Sequence, residues 1–370
     1  MKQKFYNIKD ILKQNCEYNI ILGERSNGKS YQGKIVCLYE AWTGLDFITK
    51  QKKTRSNFGY LRRWREEIKS RDCVQYFDDL IPYIRELTNN EADSIICFRN
   101  DLYFAQTLEN GYQVKVKKCG SCFALTSATH YKSLSFSDIG NIIFEEFITK
   151  YGYLNKETET LMDIVSTIAR RDSIRVLLIG NTIDRMCPYF RDWDLKHIKT
   201  QKQGTIDIYR QSTTQTNDDG KPVIISIAVE YCENSGNNSK MFFGQSAKMI
   251  TSGVWESDVY PHLKGKLSDY KCYYTLIYNY LDFSFIIKLL IDKDKNPFLY
   301  VYPNTKPDRN DIKRIVQEDY KPDIFTTNFL TIVTKYDKLI IDLINNKKVV
   351  FSDNLTGTEF NKIKVERGKF

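Results

Sequence analysis

The stretch YNIILGERSNGKSY, residues 18–31, constrains this chain more than any other. A short apolar run, 19–22, leads into a loop bounded by Gly23 and Gly28, and an amphipathic segment begins at Lys29. The pattern predicts a buried strand, a tight loop and a helix. Gly23-x-x-x-x-Gly28-Lys29-Ser30 has the spacing of a phosphate-binding loop, in which glycines let the backbone curl until successive N–H groups and the helix N-terminus converge on one anion. Lys29 would reach the β- and γ-phosphates of a nucleotide, and Ser30 would hold magnesium. Beyond the loop, Tyr31, Ile35, Leu38, Tyr39 and Trp42 fall on one face at helical spacing.

At 370 residues the chain is long enough to bury two cores. Lys and Arg number 55 against 46 acids, and the resulting +9 favours polyanion partners without deciding among them. The nine cysteines have no repeating framework, and the N-terminal MKQKFYNIKDILK alternates charge with apolar residues. Together these lead us to expect free thiols in a reducing, intracellular setting. No run of eighteen apolar residues occurs, so no membrane span is expected.

Further along, a strand at 58–61 runs into Arg62, Arg63, Trp64 and Arg65. These arginines are candidates for contact with a neighbour's nucleotide or a nucleic-acid backbone. A helix is expected over 78–87, then short strands at 95–99, 102–106, 112–117 and 122–125, with a hairpin turn at Asn110-Gly111. The pair Cys119-Gly-Ser-Cys122 abuts a strand and has no second Cys-x-x-Cys to complete a zinc site, so neither metal nor redox chemistry is expected of it.

NIIFEEF, residues 141–147, reads as a central strand ending in two carboxylates, at the edge where open α/β sheets place ligand chemistry. Glu145 would hold hydrated magnesium, and Glu146 would orient and deprotonate an attacking water. Burying both without a cation would be costly. A helix with Leu161, Ile164, Val165 and Ile168 on one face follows, and its end carries Arg170, Arg171 and Arg175. A strand at 176–179 then reaches Asn181, a candidate sensor of the γ-phosphate. Arg171, or its neighbours Arg170 and Arg175, could reach an adjacent subunit's site or simply cap the helix.

GERSNGKS, FGYLRRW, NIIFEEF and the block LMDIVSTIARRDSIRVLLIGN…CPYF come in an order and at spacings that resemble the genome-packaging motor ATPase (DNA encapsidation protein) of small short-tailed phages of the Picovirinae type. The resemblance is continuous over about residues 19–190 and weaker beyond. It implies an α/β P-loop NTPase of the ASCE (additional-strand, catalytic glutamate) division that uses ATP and Mg2+ to drive double-stranded DNA through the portal (connector) protein into a prohead. It further implies packaging RNA as a partner, a pentameric ring, and a place in the host cell cytoplasm, transiently on the prohead and not in the mature virion. Carried over by motif, Gly23, Arg25, Gly28, Lys29, Ser30 and Tyr31 bind nucleotide, and Arg25 switches between phosphates and carboxylates. Ser30 and Glu145 serve the metal, Glu146 is the catalytic glutamate, and Arg171 is the trans-acting finger. The family's usual pair is Asp-Glu, whereas this chain has Glu145-Glu146; the extra methylene still reaches a water-bridged magnesium.

The expected organisation is an ATPase domain over 1–200, a linker region over 201–255 and a smaller C-terminal α/β domain over 256–370. In the last, strands at 273–280, 282–291 and 298–302 form a meander, followed by two helical segments, the second with Phe329, Ile332, Val333, Tyr336, Ile340 and Leu343 on one face. Strands followed by helices fit an RNase H-like layout, a vestigial nuclease in related motors. The strand YYTLIYNYL has no carboxylate before Asp282, and Asp282, Asp292 and Asp323 read as loop acids, so binding of DNA or RNA is expected rather than cutting. The alternatives are a terminase-type ATPase with an active C-terminal nuclease, and a nucleotide-binding scaffold without turnover.

Overall fold

A computed structural model of the chain describes residues 5–149, 152–170, 172–216, 219–233, 254–255, 257–280, 283–305, 312–316, 326–328 and 334–366. The chain divides into two compact units, Met1–Trp255 and Glu256–Phe370. No helix among the described residues is long and apolar enough to cross a membrane.

The first unit is built on one sheet. Its strands are β1 (Tyr18–Gly23), β2 (Asn57–Arg62), β3 (Ser94–Phe98), β4 (Asp101–Thr107), β5 (Gln113–Ala124), β6 (Ile139–Glu145), β7 (Arg175–Asn181), β8 (Thr205–Thr216) and β9 (Pro222–Tyr231), in the order β3-β4-β5-β2-β6-β7-β1-β9-β8. From β5 to β9 all neighbours are parallel, and antiparallel hairpins close both edges. Strands β6 and β7 are near-continuous apolar runs because both faces of a parallel sheet are covered. The helices are α1 (Lys9–Leu12), α2 (Lys29–Thr43), α3 (Ser70–Gln75), α4 (Ile81–Leu87), α5 (Ala128–Tyr131), α6 (Glu157–Ala169) and α7 (Pro188–Asp192).

Three sequence expectations need correction here. The segments 112–117 and 122–125 are one strand, β5, carried through Cys119 by a register shift against β4. The helix α2 buries Gly33, Val36, Cys37, Leu38 and Ala41, whereas Tyr31 is exposed, so the face against the sheet is rotated from the predicted one. The expected linker contains two strands of the first sheet: β8 pairs with β9, and β9 pairs in parallel with β1 and buries Ile227, Ala228 and Val229 beside it. Residues 234–253 lie outside the described part.

The second unit contains β10 (Lys271–Tyr280), β11 (Phe283–Ile291), β12 (Pro297–Pro303), β13 (Lys313–Val316), β14 (Thr326–Asn328) and β15 (Val349–Phe351), in the order β14-β13-β10-β11-β12-β15. The meander β10-β11-β12 is antiparallel, while β13 and β14 add in parallel beyond β10. Ahead of helix α8 (Lys335–Asn345) the described stretch Lys313–Val316 is a strand; α8 itself buries Ile340, Leu343 and Ile344 behind a Thr334 N-cap. Helix α9 (Asn354–Glu366) was not foreseen, since its apolar stripe is thin; Phe360 and Ile363 are its large buried residues. Asp292 accepts N–H groups from Asp294 and Asn296, which makes it a turn residue. Asp282, Asp323, Phe329, Ile332 and Val333 lie outside the described residues.

Candidate functional site

The glycine loop joins β1 to α2. Gly28 is the residue before the helix, at φ 95°, a left-handed conformation that suits glycine. Gly28 offers α2 no side-chain cap and the first turn holds no acid, and of its N–H groups that of Lys29 donates to Asn27 Oδ1 at 3.1 Å. The unsatisfied N–H groups and the positive end of the helix dipole are therefore left for an anion. Beside them, Lys29 Nζ donates to the Glu24 carbonyl at 2.5 Å, to Asn27 Oδ1 at 3.2 Å and to Asn181 Oδ1 at 3.3 Å. Burial pushes the Lys29 ammonium down to about 8, a cost that an arriving phosphate would offset. Arg25 is exposed on the loop.

Parallel pairing of β1 with β7 and of β7 with β6 brings the strand tips to the same edge. Ser30 Oγ donates to Glu145 Oε2 at 2.9 Å, and the Tyr76 hydroxyl donates to Glu145 Oε1 at 2.6 Å. Glu145 is buried, and burial raises its carboxyl above the usual range against the pull of Tyr76, Ser30, Arg62 and Lys29. A buried carboxylate facing a hydroxyl is an oxygen-donor set of the kind magnesium takes, and a cation would relieve the burial of the charge. These residues fit the metal. Glu146 differs: it sits at φ 55° with its side chain two-thirds exposed. Its N–H donates to the Ile179 carbonyl at 2.9 Å, and Arg62 Nη2 donates to its Oε2 at 2.9 Å. A non-glycine residue held in this conformation at a strand tip is the kind of strain that functional sites store.

The other arginines separate. Arg62 belongs to the site, bridging Glu146 and Glu67. Arg63, expected at a nucleic-acid or subunit contact, is instead buried against Glu157 and donates to the Phe147 carbonyl. Arg175 also departs from expectation: at the start of β7, far along the strand from Asn181, it pairs with buried Glu40 and with Asp46. Both are structural because each neutralises an acid taken out of water. Arg65 is exposed, and Arg170 is exposed with Nη2 donating to the Leu134 carbonyl. Arg171 lies outside the described residues. Tyr76 was missed by sequence reasoning, and no local signal marks it, since it meets Glu145 across 69 residues of chain.

The fold and site define a mixed α/β protein in which a glycine loop at a helix N-terminus faces a pair of carboxylates on a neighbouring strand tip. The chain belongs to the family described as Podovirus DNA encapsidation protein (Gp16), which matches residues 1–218. It is similar to the DNA packaging proteins of Bacillus phage PZA and Bacillus phage phi29, each 24% identical over 198 residues, 52% of this chain and 51% of the relative. The chain thus spans about half the length of the curated relatives it matches. In fold it is similar to a chain of the bacteriophage Phi-29 viral genome packaging motor assembly, with a TM-score of 0.55 and 19% identity over 98% of both chains.

Proposed function

We propose that this protein is an ATP-hydrolysing motor that moves double-stranded DNA through a portal into a prohead. The observation that carries the reading is the convergence of Lys29, Ser30, Glu145 and Asn181 at the glycine loop. The first unit is then a P-loop ATPase of the ASCE division. Insertion of β7 between β1 and the carboxylate strand β6 supports this, since that strand carries Asn181 to Lys29.

In this mechanism the loop N–H groups and Lys29 hold the β- and γ-phosphates. Ser30 and Glu145 hold magnesium, which supplies charge neutralisation of the phosphates when bound. Glu146 orients a water in line with the γ-phosphate and takes its proton, for which Arg62 must loosen its hold on that carboxylate. Asn181 reports whether the γ-phosphate is present. Arg171 is proposed as the finger that acts on a neighbouring subunit in a pentameric ring. Mixing an Arg171→Ala chain with a Lys29→Ala chain restores partial turnover if it acts in trans, and restores none if it serves only its own helix.

The second unit is proposed as an RNase H-like remnant that binds DNA or packaging RNA. The sheet order, an antiparallel meander with two parallel strands added beyond its first strand, supports that reading. The motor reading predicts ATP hydrolysis stimulated by double-stranded DNA; turnover indifferent to DNA would contradict it. Incubation with plasmid and manganese separates a remnant from a working nuclease, and cleavage abolished by Asp282→Ala would replace the remnant reading.

A further inference from the structure

We propose that Cys73, Cys97 and Cys122 form a site for a thiophilic metal ion of the zinc class, held by three thiolates. The three sulfur atoms lie within 4.8 Å of one another. They come from separate elements, α3, β3 and β5, so the convergence is a product of the fold and has no motif spacing. Three thiolates around a tetrahedral zinc ion at about 2.3 Å sit roughly 3.8 Å apart, so only a small closing of the triangle is needed. A buried free cysteine behaves as a small apolar residue and needs no explanation. Three whose sulfur atoms converge from separate elements differ, because together they offer a cation a ready ligand set. Cys73 and Cys122 are buried, and Cys97 is partly exposed.

Binding balances as one divalent ion taken up and three thiol protons released, leaving a complex of net charge −1. The surroundings suit that charge. Asn100, whose carbonyl accepts from the Cys122 N–H at 2.7 Å, and Ser70, three residues before Cys73 on α3, line an open pocket of about 450 Å3 with Arg65, Lys69 and His130. The partial exposure of Cys97 leaves water a route to a fourth coordination position. The Cys119 half of the Cys-x-x-Cys pair takes no part; its sulfur lies outside the cluster. The proposal departs from the sequence expectation at Cys122, of which no metal chemistry was expected and which here joins partners on two other elements.

The ion would tie α3 to β3 and β5. Helix α3 runs directly into Tyr76, whose hydroxyl holds Glu145, so the metal braces a wall of the candidate active site without belonging to it. The inference is independent of the proposed motor activity.

The test is metal analysis of the full chain, produced with zinc in the medium and purified in a reducing, chelator-free buffer. About one zinc per chain is expected. After chelation, cobalt(II) restores the site and gives thiolate-to-cobalt charge-transfer absorption in the near ultraviolet. Cys97→Ser weakens binding at least about tenfold, and Cys272→Ser, an exposed thiol elsewhere, leaves it unchanged. Less than about a tenth of a metal ion per chain with no charge-transfer band in the unaltered protein overturns the site, as does equal binding by the Cys97→Ser chain. A disulfide within the triad in protein kept reduced also overturns it. Because the cobalt titration uses the unaltered chain, a variant that misfolds does not decide the matter.

Discussion

Glu145 and Glu146 are adjacent in sequence and opposite in circumstance. The first continues the strand and points into the structure, where Ser30 and Tyr76 bond its two oxygens. The second turns left-handed and presents its carboxylate outward to Arg62. The division of labour, one acid for metal and one for water, follows from that reversal. Tyr76→Phe removes a bond to Glu145 while keeping the ring, which stacks on Tyr60. It should lower magnesium affinity about tenfold with little loss of stability; a magnesium titration of nucleotide binding that is unmoved would contradict the role. Away from the site, burial raises the Glu230 carboxyl to about 7, although Tyr6 donates a bond to it at 2.6 Å. The folded chain then holds this proton more tightly than the unfolded one. Its stabilising contribution is full below the unfolded value near 4.5 and is lost as pH rises through about 7. Urea unfolding should show a loss on the order of 1–3 kcal/mol between about pH 5 and pH 8, and Glu230→Gln should flatten it. Lys29, Ser30 and the two glutamates were legible because each sits in a short motif. Tyr76, and the pairings that hold buried Arg63 and half-buried Arg175, depend on partners tens of residues away, which no local pattern encodes.

At the scale of elements, the carboxylate strand is positioned by a close backbone contact. A Cβ placed on Gly140 would lie 2.0 Å from the Arg55 carbonyl oxygen, and the β2–β6 register shifts at that point. Glycine there lets the two strands approach. Gly140→Ala should cost about 1–3 kcal/mol by overpacking and should weaken nucleotide turnover by displacing the strand that ends in Glu145. Chemical denaturation alongside ATP hydrolysis checks both effects, and an unchanged denaturation midpoint would show that the strands can yield. The parallel core strands were legible from their continuous apolar runs. The rotated face of α2 was not, because burial depends on where neighbouring strands and helices lie: Lys34 sits inward by donating to the Tyr76 carbonyl and Asp79. Helix α9 escaped for the opposite reason, its apolar residues being too few to mark a face.

For the whole molecule, two compact units with separate sheets predict two unfolding events. Scanning calorimetry should resolve them, and a non-hydrolysable ATP analogue with magnesium should raise only the transition of the unit that carries the glycine loop. A single transition, or a shift of both together, would mean that the units unfold as one. The change of composition after residue 190 leaves open which sheet the following strands join. A strand at 223–231 is legible as an apolar run, and β9 is that strand, yet it pairs with β1 some 200 positions earlier, a match that rests on sheet completion and not on local sequence.

The central claim is that the loop from Gly23 to Ser30 and the glutamate pair form one hydrolysing site with separable parts. Nucleotide binding and steady-state ATP turnover measured on Lys29→Ala and Glu146→Gln test it most directly. The account predicts that Lys29→Ala loses both, whereas Glu146→Gln still binds ATP with magnesium and loses turnover by about two orders of magnitude or more. Turnover at the parent rate in the Glu146→Gln chain would contradict it.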